Sequence, residues 1–387
     1  MKIASVRPTR IGQFLYACIT ADDGRVGLGE AGAWGHVEAA EAAMAKFATY
    51  LEGRDAGAIE HHWNVMHRFA YFQGHAINAA ISAIDVALWD LKGQALGAPI
   101  HALLGGAVRT RARVYGHAYD RTAEAVAERC RSLRHAGFTA IGHLNPFLDE
   151  GDEAPLSKSH VRFIDDAVRN VALFRDAVGD DCDLLIELHR RLTPAQALTF
   201  LREIETYRPM WAEDPIRPED IDGMAAVAAA SPVPIATGER FVGIHQFQAL
   251  FARRGCQFAR VSLGVCGGIT GARKIAAMAE ACGVQIAPHS PLSPVNLAAS
   301  LQIAAAVPNF AIQEYTTGLE NHALVSSDRL LGHDVVDWAP NLSAGFVDIP
   351  VQPGLGAALR ADAAERRPLT TKPVAMRAFA DGAPCDQ

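Results

Sequence analysis

An α/β fold is predicted for this chain: a (β/α)7–8 barrel with an N-terminal α+β capping domain that the C-terminal tail completes. Three observations predict it. From Ala112 onward, short apolar runs alternate with helical stretches over roughly 200 residues, the rhythm of a TIM-type barrel. Before the Gly105–Gly106 break, strands come first and helices after, without alternation, as in a separate α+β unit. Within the barrel region, LLIELHRR (184–191), MWAEDP (210–215) and VPIATGE (233–239) place Glu187, Glu213 and Glu239 at strand ends, 26 residues apart each time. That interval is close to the ~30 residues of a strand–helix–strand unit.

In order, residues 2–20 alternate apolar and polar, turn at ADDG and continue into VGLGEAG (26–32), an antiparallel meander. Ala-rich text from Val37 to Leu51 and the segment Ile59–Phe72 read as helices. Ile77–Leu96 has apolar residues at i, i+3 and i+4, the face of a buried helix, closed by Gly97. Its Asp85 and Asp90 are expected to cap or pair locally. The barrel strands are then ARVYGHA, FTAIGHLN, DLLIELH, MWAEDP, PIATGE, FARVSL, VQIAPHS and AIQEY, with helices between them and a polar loop after the second (146–160). The boundaries are expected at 1–110 for the capping domain, 111–318 for the barrel and 319–387 for a Pro- and Gly-rich tail that packs back on the capping domain.

The chain of 387 residues is long enough for a barrel and an accessory domain. A net charge of −7 argues against nucleic acid and anionic membranes as partners. No apolar run reaches the ~18–20 residues of a membrane span, and the start MKIASVRPTRIG lacks a signal-peptide core, so a cytoplasmic protein is expected. The seven cysteines are scattered and form no CxxC pair, which indicates neither a disulfide framework nor a thiolate metal site.

Parallel strands point their C-terminal ends the same way, so Glu187, Glu213 and Glu239 are expected to converge. Three converging carboxylates repel one another unless a cation lies between them, and hard oxygen ligands favour Mg2+. Two residues beyond Glu187, His189 is expected on the same strand face. His289, in APHSP, has no packing reason to follow an apolar strand. Other strand-end candidates are His117, His143, Asn145, Asp214, Arg240, Ser262 and Glu314. A carboxylate substrate that chelates the cation has a removable α-proton. One imidazole can take that proton, and a second can protonate a departing β-hydroxyl, leaving a 2-keto-3-deoxy acid.

The chain resembles the mandelate racemase-like subgroup of the enolase superfamily over essentially its whole length. The resemblance rests on AIDVALWDLKGQALGAPIHALLGG (83–106), the three glutamates, the EDP and GE strand ends, CGGIT (266–270) and PHSP (288–291). Within the superfamily it is most similar to acid-sugar dehydratases of the D-galactonate and D-mannonate type, through Glu187 with His189, HRRLTPAQA, APHSPLSP and IQEY. The resemblance implies that Glu187, Glu213 and Glu239 hold Mg2+. It also implies His189 as general acid, His289 as general base at C2 and Glu314 near the substrate carboxylate. Capping-domain segments near 15–35 and 65–75 would set specificity. The resemblance also implies a small acid-sugar substrate and a homo-oligomer, with an octamer as the candidate form.

The chain departs from that pattern in three places. Glu187 stands where Asp is more frequent. Ser262 stands where galactonate-type relatives carry an Asp paired with the catalytic His, and a neutral partner does not raise imidazole basicity. His143 and Asn145 occupy the second strand end, where racemases and cycloisomerases place Lys. The leading expectation is a Mg2+-dependent dehydratase of an aldonate such as galactonate, mannonate or gluconate. The alternatives are an epimerase or racemase using His289 and His143, and a metal-bound acid-sugar binding protein with little turnover.

Overall fold

In the computed structural model, which describes residues 1–148, 155–320, 323–324, 327 and 329–386, the alternation of the N-terminal segment becomes a three-stranded antiparallel sheet. Its strands are β1 (Ile3–Ile11), β2 (Phe14–Ala21) and β3 (Val26–Ala31). Helices α1 (Val37–Leu51), α2 (Ile59–Arg68), α3 (His75–Leu96) and the short α4 (Ile100–Leu103) follow. The Gly29 position shows why this stretch reads VGLG: a Cβ there would lie 2.1 Å from the Ala83 carbonyl oxygen, so β3 and α3 meet backbone to backbone.

Strands β4 (Arg111–His117), β5 (Ala140–Leu144), β6 (Asp183–Glu187), β7 (Trp211–Glu213), β8 (Ile235–Thr237), β9 (Phe258–Ala259), β10 (Gln285–Ile286) and β11 (Gln313–Tyr315) pair in parallel, each with its sequence neighbour from β4 to β10. β11 pairs with β4, and the Ile286–Phe310 bridge joins β10 to the start of β11, so the sheet closes on itself. The connecting helices are α5 (Ala123–His135), α6 (His160–Val178), α7 (Pro194–Glu203), α8 (Ile221–Ala230), α9 (Ile244–Ala252), α10 (Gly268–Ala281) and α11 (Pro294–Ala306). The strands are shorter than the apolar runs that encode them, because pairing ends where the chain turns into each mouth loop. Part of the expected polar loop after β5, residues 149–154, lies outside the described residues.

Side-chain alternation builds two cores. Tyr115, Leu185, Trp211 and Phe258 point into the barrel and plug it, while Leu184, Ile186 and Ala212 face the helices. Two residues beyond Leu185 and Trp211, on the same inward face, come Glu187 and Glu213. The apolar plug is therefore the floor on which the acids stand.

Asp85 and Asp90 do not pair locally as expected. Asp85 accepts from the Thr270 N–H (2.9 Å), capping the first turn of α10 from the other domain. Gly268, at φ +66, passes so close that a Cβ would lie 2.5 Å from the Asp85 carboxylate, which is the physical content of the CGGIT motif. Asp90 accepts from Leu28 N–H in β3 and Leu355 N–H in the tail, both at 2.9 Å. Local caps are not needed, because α3 is buried along nearly its whole length and its acids can reach backbone donors on other elements. Asp90→Ala should strand two buried N–H groups and lower unfolding stability by about 2–4 kcal/mol, read from denaturant titration.

The tail meets both halves of the molecule. A hairpin of Leu342–Ser343 and Phe346–Asp348 adds antiparallel to β4. Gly354 and Arg367 bond to the backbone of Ala98 and Gly12 in the N-terminal half, and Asp386 pairs with Arg190 (3.1 Å) and Arg217 (2.7 Å) at the barrel mouth.

Candidate active site

Consecutive strands deliver the three acids to one place. Oxygens of Glu187, Glu213 and Glu239 lie within 4.8 Å of one another, and all three side chains are buried. Glu187 Oε2 is buried without a hydrogen-bond partner among the described residues. Burial, and then repulsion from Glu213 and Glu239, hold the Glu187 carboxyl well above the usual carboxylate range. Burial likewise pushes Glu213 up to about 8, against the pull of Arg260. Burial would raise Glu239 too, but the Arg240 guanidinium and the imidazoles of His289 and His189 outweigh it and hold that carboxyl low. An orphaned buried oxygen among crowded carboxylates is the donor set a hard divalent cation satisfies, so these residues fit Mg2+.

An imidazole leans on each end of this triad. His189 Nε2 is 4.0 Å from Glu187 Oε1, and His289 Nε2 is 3.3 Å from Glu239 Oε2. The expected neighbourhood of Glu187 and His189 is present, but not through strand alternation. β6 ends at Glu187, and His189 adopts φ +48, a left-handed turn in which its N–H donates to Glu187 Oε1 (2.8 Å). His143 (φ +51) and Asp214 (φ +42) are also left-handed at the ends of β5 and β7. Non-glycine residues held there cost on the order of 1–3 kcal/mol each, and such residues gather at functional sites. Burial lowers His189 to about 4 and lowers His289, against the pull of the Glu239 carboxylate on both rings.

His289 and Ser262 share a β-bridge, yet His289 Nδ1 and Ser262 Oγ are both buried without a hydrogen-bond partner among the described residues. The serine therefore does not orient the His289 ring through Nδ1. Trp34 covers His289 instead, with ring centroids 5.2 Å apart, and His75 packs on Trp34 at 5.7 Å. The segment 15–35, expected as a specificity loop, is mostly strand; the covering part is the turn after β3 that carries Trp34.

The remaining candidates divide. Arg240 pairs with Glu239 (2.9 Å) and with Asp214, whose other oxygen accepts from the Thr237 hydroxyl (2.5 Å). Asn145 spends its carbonyl oxygen on the Phe147 N–H (2.9 Å), closing the loop after β5. Glu314 is held by its surroundings: Oε2 accepts from Arg260 (2.7 Å) and from Ser290 N–H (2.6 Å), and Oε1 lies 3.0 Å from His117 Nε2. His117 in turn meets the Tyr119 hydroxyl through Nδ1 (2.8 Å) and stacks on His143. Beside His143 and His189 a cavity of about 390 Å3 opens, lined also by Tyr119, Asn145, Arg191 and the tail's Arg377.

Arg260, Tyr119 and Trp34 belong to the site but were not anticipated. Arg260 carried a readable signal. It is the one cation in FARVSL, and a charge inside an apolar strand needs buried partners of opposite sign.

Known protein families match most of the chain. Residues 5–105 match the mandelate racemase / muconate lactonizing enzyme N-terminal domain, and residues 125–363 match the enolase C-terminal domain-like family. The chain belongs to the mandelate racemase/muconate lactonizing enzyme family of the enolase superfamily. Among curated members, it is 36% identical to a D-galactonate dehydratase of Verminephrobacter eiseniae, covering 92% of this chain and 91% of that protein. It is 34% identical to a D-galactonate dehydratase of Klebsiella pneumoniae, with coverage of 94% and 93%. A crystal structure of an Agrobacterium radiobacter enolase, provisionally named a galactarate dehydratase and bound to Na and L-malate, superposes with a TM-score of 0.92 at 27% identity over all of both chains. No helix among the described residues is long and apolar enough to cross a membrane.

Proposed function

We propose that this family member is a Mg2+-dependent dehydratase of a monocarboxylic sugar acid of five or six carbons, yielding a 2-keto-3-deoxy acid. It is a sugar-acid dehydratase, a hydro-lyase, as its D-galactonate dehydratase relatives are over more than nine-tenths of its length. The observation that carries the finer reading is an imidazole at either end of a buried carboxylate triad.

Glu187, Glu213 and Glu239 would hold the cation. Bound there, Mg2+ offsets the negative charge that grows on the substrate carboxylate as its α-proton leaves. His289, beside Glu239, accepts that proton at Nε2. His189, beside Glu187, donates a proton to the departing 3-hydroxyl. Burial lowers its basicity in the free site, and an anionic substrate alongside acts in the opposite direction, toward the protonated form. Trp34 lies against the base, with ring centroids 5.2 Å apart, and screens it on that side.

Purified protein with Mg2+ should form a keto acid from at least one member of an aldonate panel; no product across the panel would overturn the assignment. His289→Asn should lose product and C2 deuterium exchange together, each by roughly 10^2–10^4-fold. His189→Asn should lose product by a similar factor and keep exchange. Wild-type exchange without dehydration would favour an epimerase, and binding without exchange or product would favour a binding protein whose base lacks its partner at Ser262.

A further inference from the structure

Beside the carboxylate triad stands a second group of ligand atoms that the reaction above does not need as a group: His143, Glu187 and His189. His143 Nδ1 lies 3.9 Å from Glu187 Oε2, and His189 Nε2 lies 4.0 Å from Glu187 Oε1. All three ligand atoms fall within 4.8 Å of one another. The two rings meet edge to face, with centroids 4.9 Å apart. Glu187 Oε2, the oxygen that faces His143, is the buried one without a hydrogen-bond partner among the described residues. The His143 ring is fixed from behind by stacking on His117 (5.4 Å) and by the edge contact of Tyr119 (4.9 Å). Both histidines reach these positions only through left-handed backbone.

Two imidazoles and one carboxylate are the donors of a borderline divalent ion such as Zn2+ or Co2+, whereas Mg2+ takes oxygen ligands and leaves imidazole alone. A tetrahedral ion with donors at ~2.0–2.1 Å sets them roughly 3.4 Å apart, so the two imidazole–carboxylate pairs, at 3.9 and 4.0 Å, would each close by about half an ångström as the two rings turn toward one ion. We propose that His143, Glu187 and His189 form a second cation site, selective for a zinc-like ion, which shares Glu187 with the carboxylate triad. The Glu187 side chain is long enough to serve both sites: Oε2 faces His143 and Oε1 faces His189. Occupancy ties up the ring nitrogen of His189, so a zinc-like ion switches off the proton donor while Mg2+ stays in place. That inhibitory consequence rests on the proposed dehydratase function; the binding site itself does not.

Co2+ is the probe. With Mg2+ saturating, equilibrium dialysis should leave wild type holding one Co2+ per chain more than His143→Ala, and its visible spectrum should show nitrogen-containing coordination. His143→Gln, which keeps bulk but supplies a poor ligand, should behave as His143→Ala does. Thermal unfolding of each variant shows whether it is folded. Co2+ should also raise the wild-type melting temperature beyond the value in Mg2+ alone, a measurement that needs no variant. Equal Co2+ content in wild type and folded variants, or complete displacement of Co2+ by Mg2+, overturns the site. Equimolar Zn2+ should cut Mg2+-supported turnover at least tenfold, without relief by further Mg2+. Co2+ retention alongside absence of any turnover in Mg2+ alone would leave the site standing and overturn the dehydratase reading.

Discussion

Glu187→Gln should make the metal-free protein more stable while abolishing turnover. In the wild type, burial and the neighbouring Glu213 and Glu239 keep the Glu187 carboxyl protonated above its ordinary range. The unfolded chain releases that proton near the ordinary glutamate value of about 4.3. Between that pH and the raised folded value the native state therefore binds more protons, and stability falls as pH rises. An amide is neutral at every pH, and its carbonyl oxygen still accepts from the His189 N–H. The gain should be smallest near pH 4.5 and grow steadily as pH rises to 7.5, read by denaturant unfolding after chelation. Mg2+ should raise the melting temperature of wild type and leave that of the variant unchanged. Turnover should fall by on the order of 10^3-fold or more, since charge neutralisation at a developing anion is worth several kcal/mol. A variant less stable than wild type at pH 7.5, or one still stabilised by Mg2+, would remove Glu187 from the cation site. The opposite signs of the two effects separate a functional carboxylate from one that merely packs.

What could be read from the chain before its structure follows from which interactions are local in sequence. The strand–helix rhythm and the 26-residue interval between acids are local periodicities, and alternation from Leu185 and Trp211 carries Glu187 and Glu213 onto the inward face. Asp85 was misread because its partner, Thr270, is 185 residues away in sequence and belongs to the other domain. His189 was placed beside Glu187 for the wrong reason: a left-handed turn, not a continuing strand, brings it there, and no residue type at 188–190 announces φ > 0. Trp34 stayed hidden because its contact with His289 joins the capping sheet to β10's end across the interface, and a lone tryptophan in a Gly-rich turn has no pattern. Ser262 was legible only as an absence, and in the structure its Oγ and His289 Nδ1 are both buried without a hydrogen-bond partner among the described residues.

Arg260→Met should be among the most destabilising single substitutions in the barrel. The guanidinium is buried to 1% exposure and divides its donors between two acids: Nε to Glu213 Oε1 (2.6 Å) and Nη2 to Glu314 Oε2 (2.7 Å). It also donates to the Tyr115 hydroxyl (2.8 Å) and to the carbonyls of Ala287 and Pro288. Burial alone would raise the Glu314 carboxyl; Arg260, with help from the His289 and His117 imidazoles, reverses that and holds it well below the usual range. Deleting the cation leaves a desolvated carboxylate without its counter-charge, which costs about 3–5 kcal/mol. Lysine should not rescue it, because a single ammonium lacks the planar fork that reaches Glu213 and Glu314 together. Glu314→Gln added to Arg260→Met should recover part of the loss, since it removes the charge that the first substitution orphaned. A double-mutant cycle in denaturant measures this directly, and a coupling energy near zero would contradict a shared charge network. The same cycle followed by Mg2+ affinity should show a second effect in Arg260→Met alone. Freed from its partner, Glu213 can turn, and the carboxylate triad loses the member that β7 and β9 jointly hold in place.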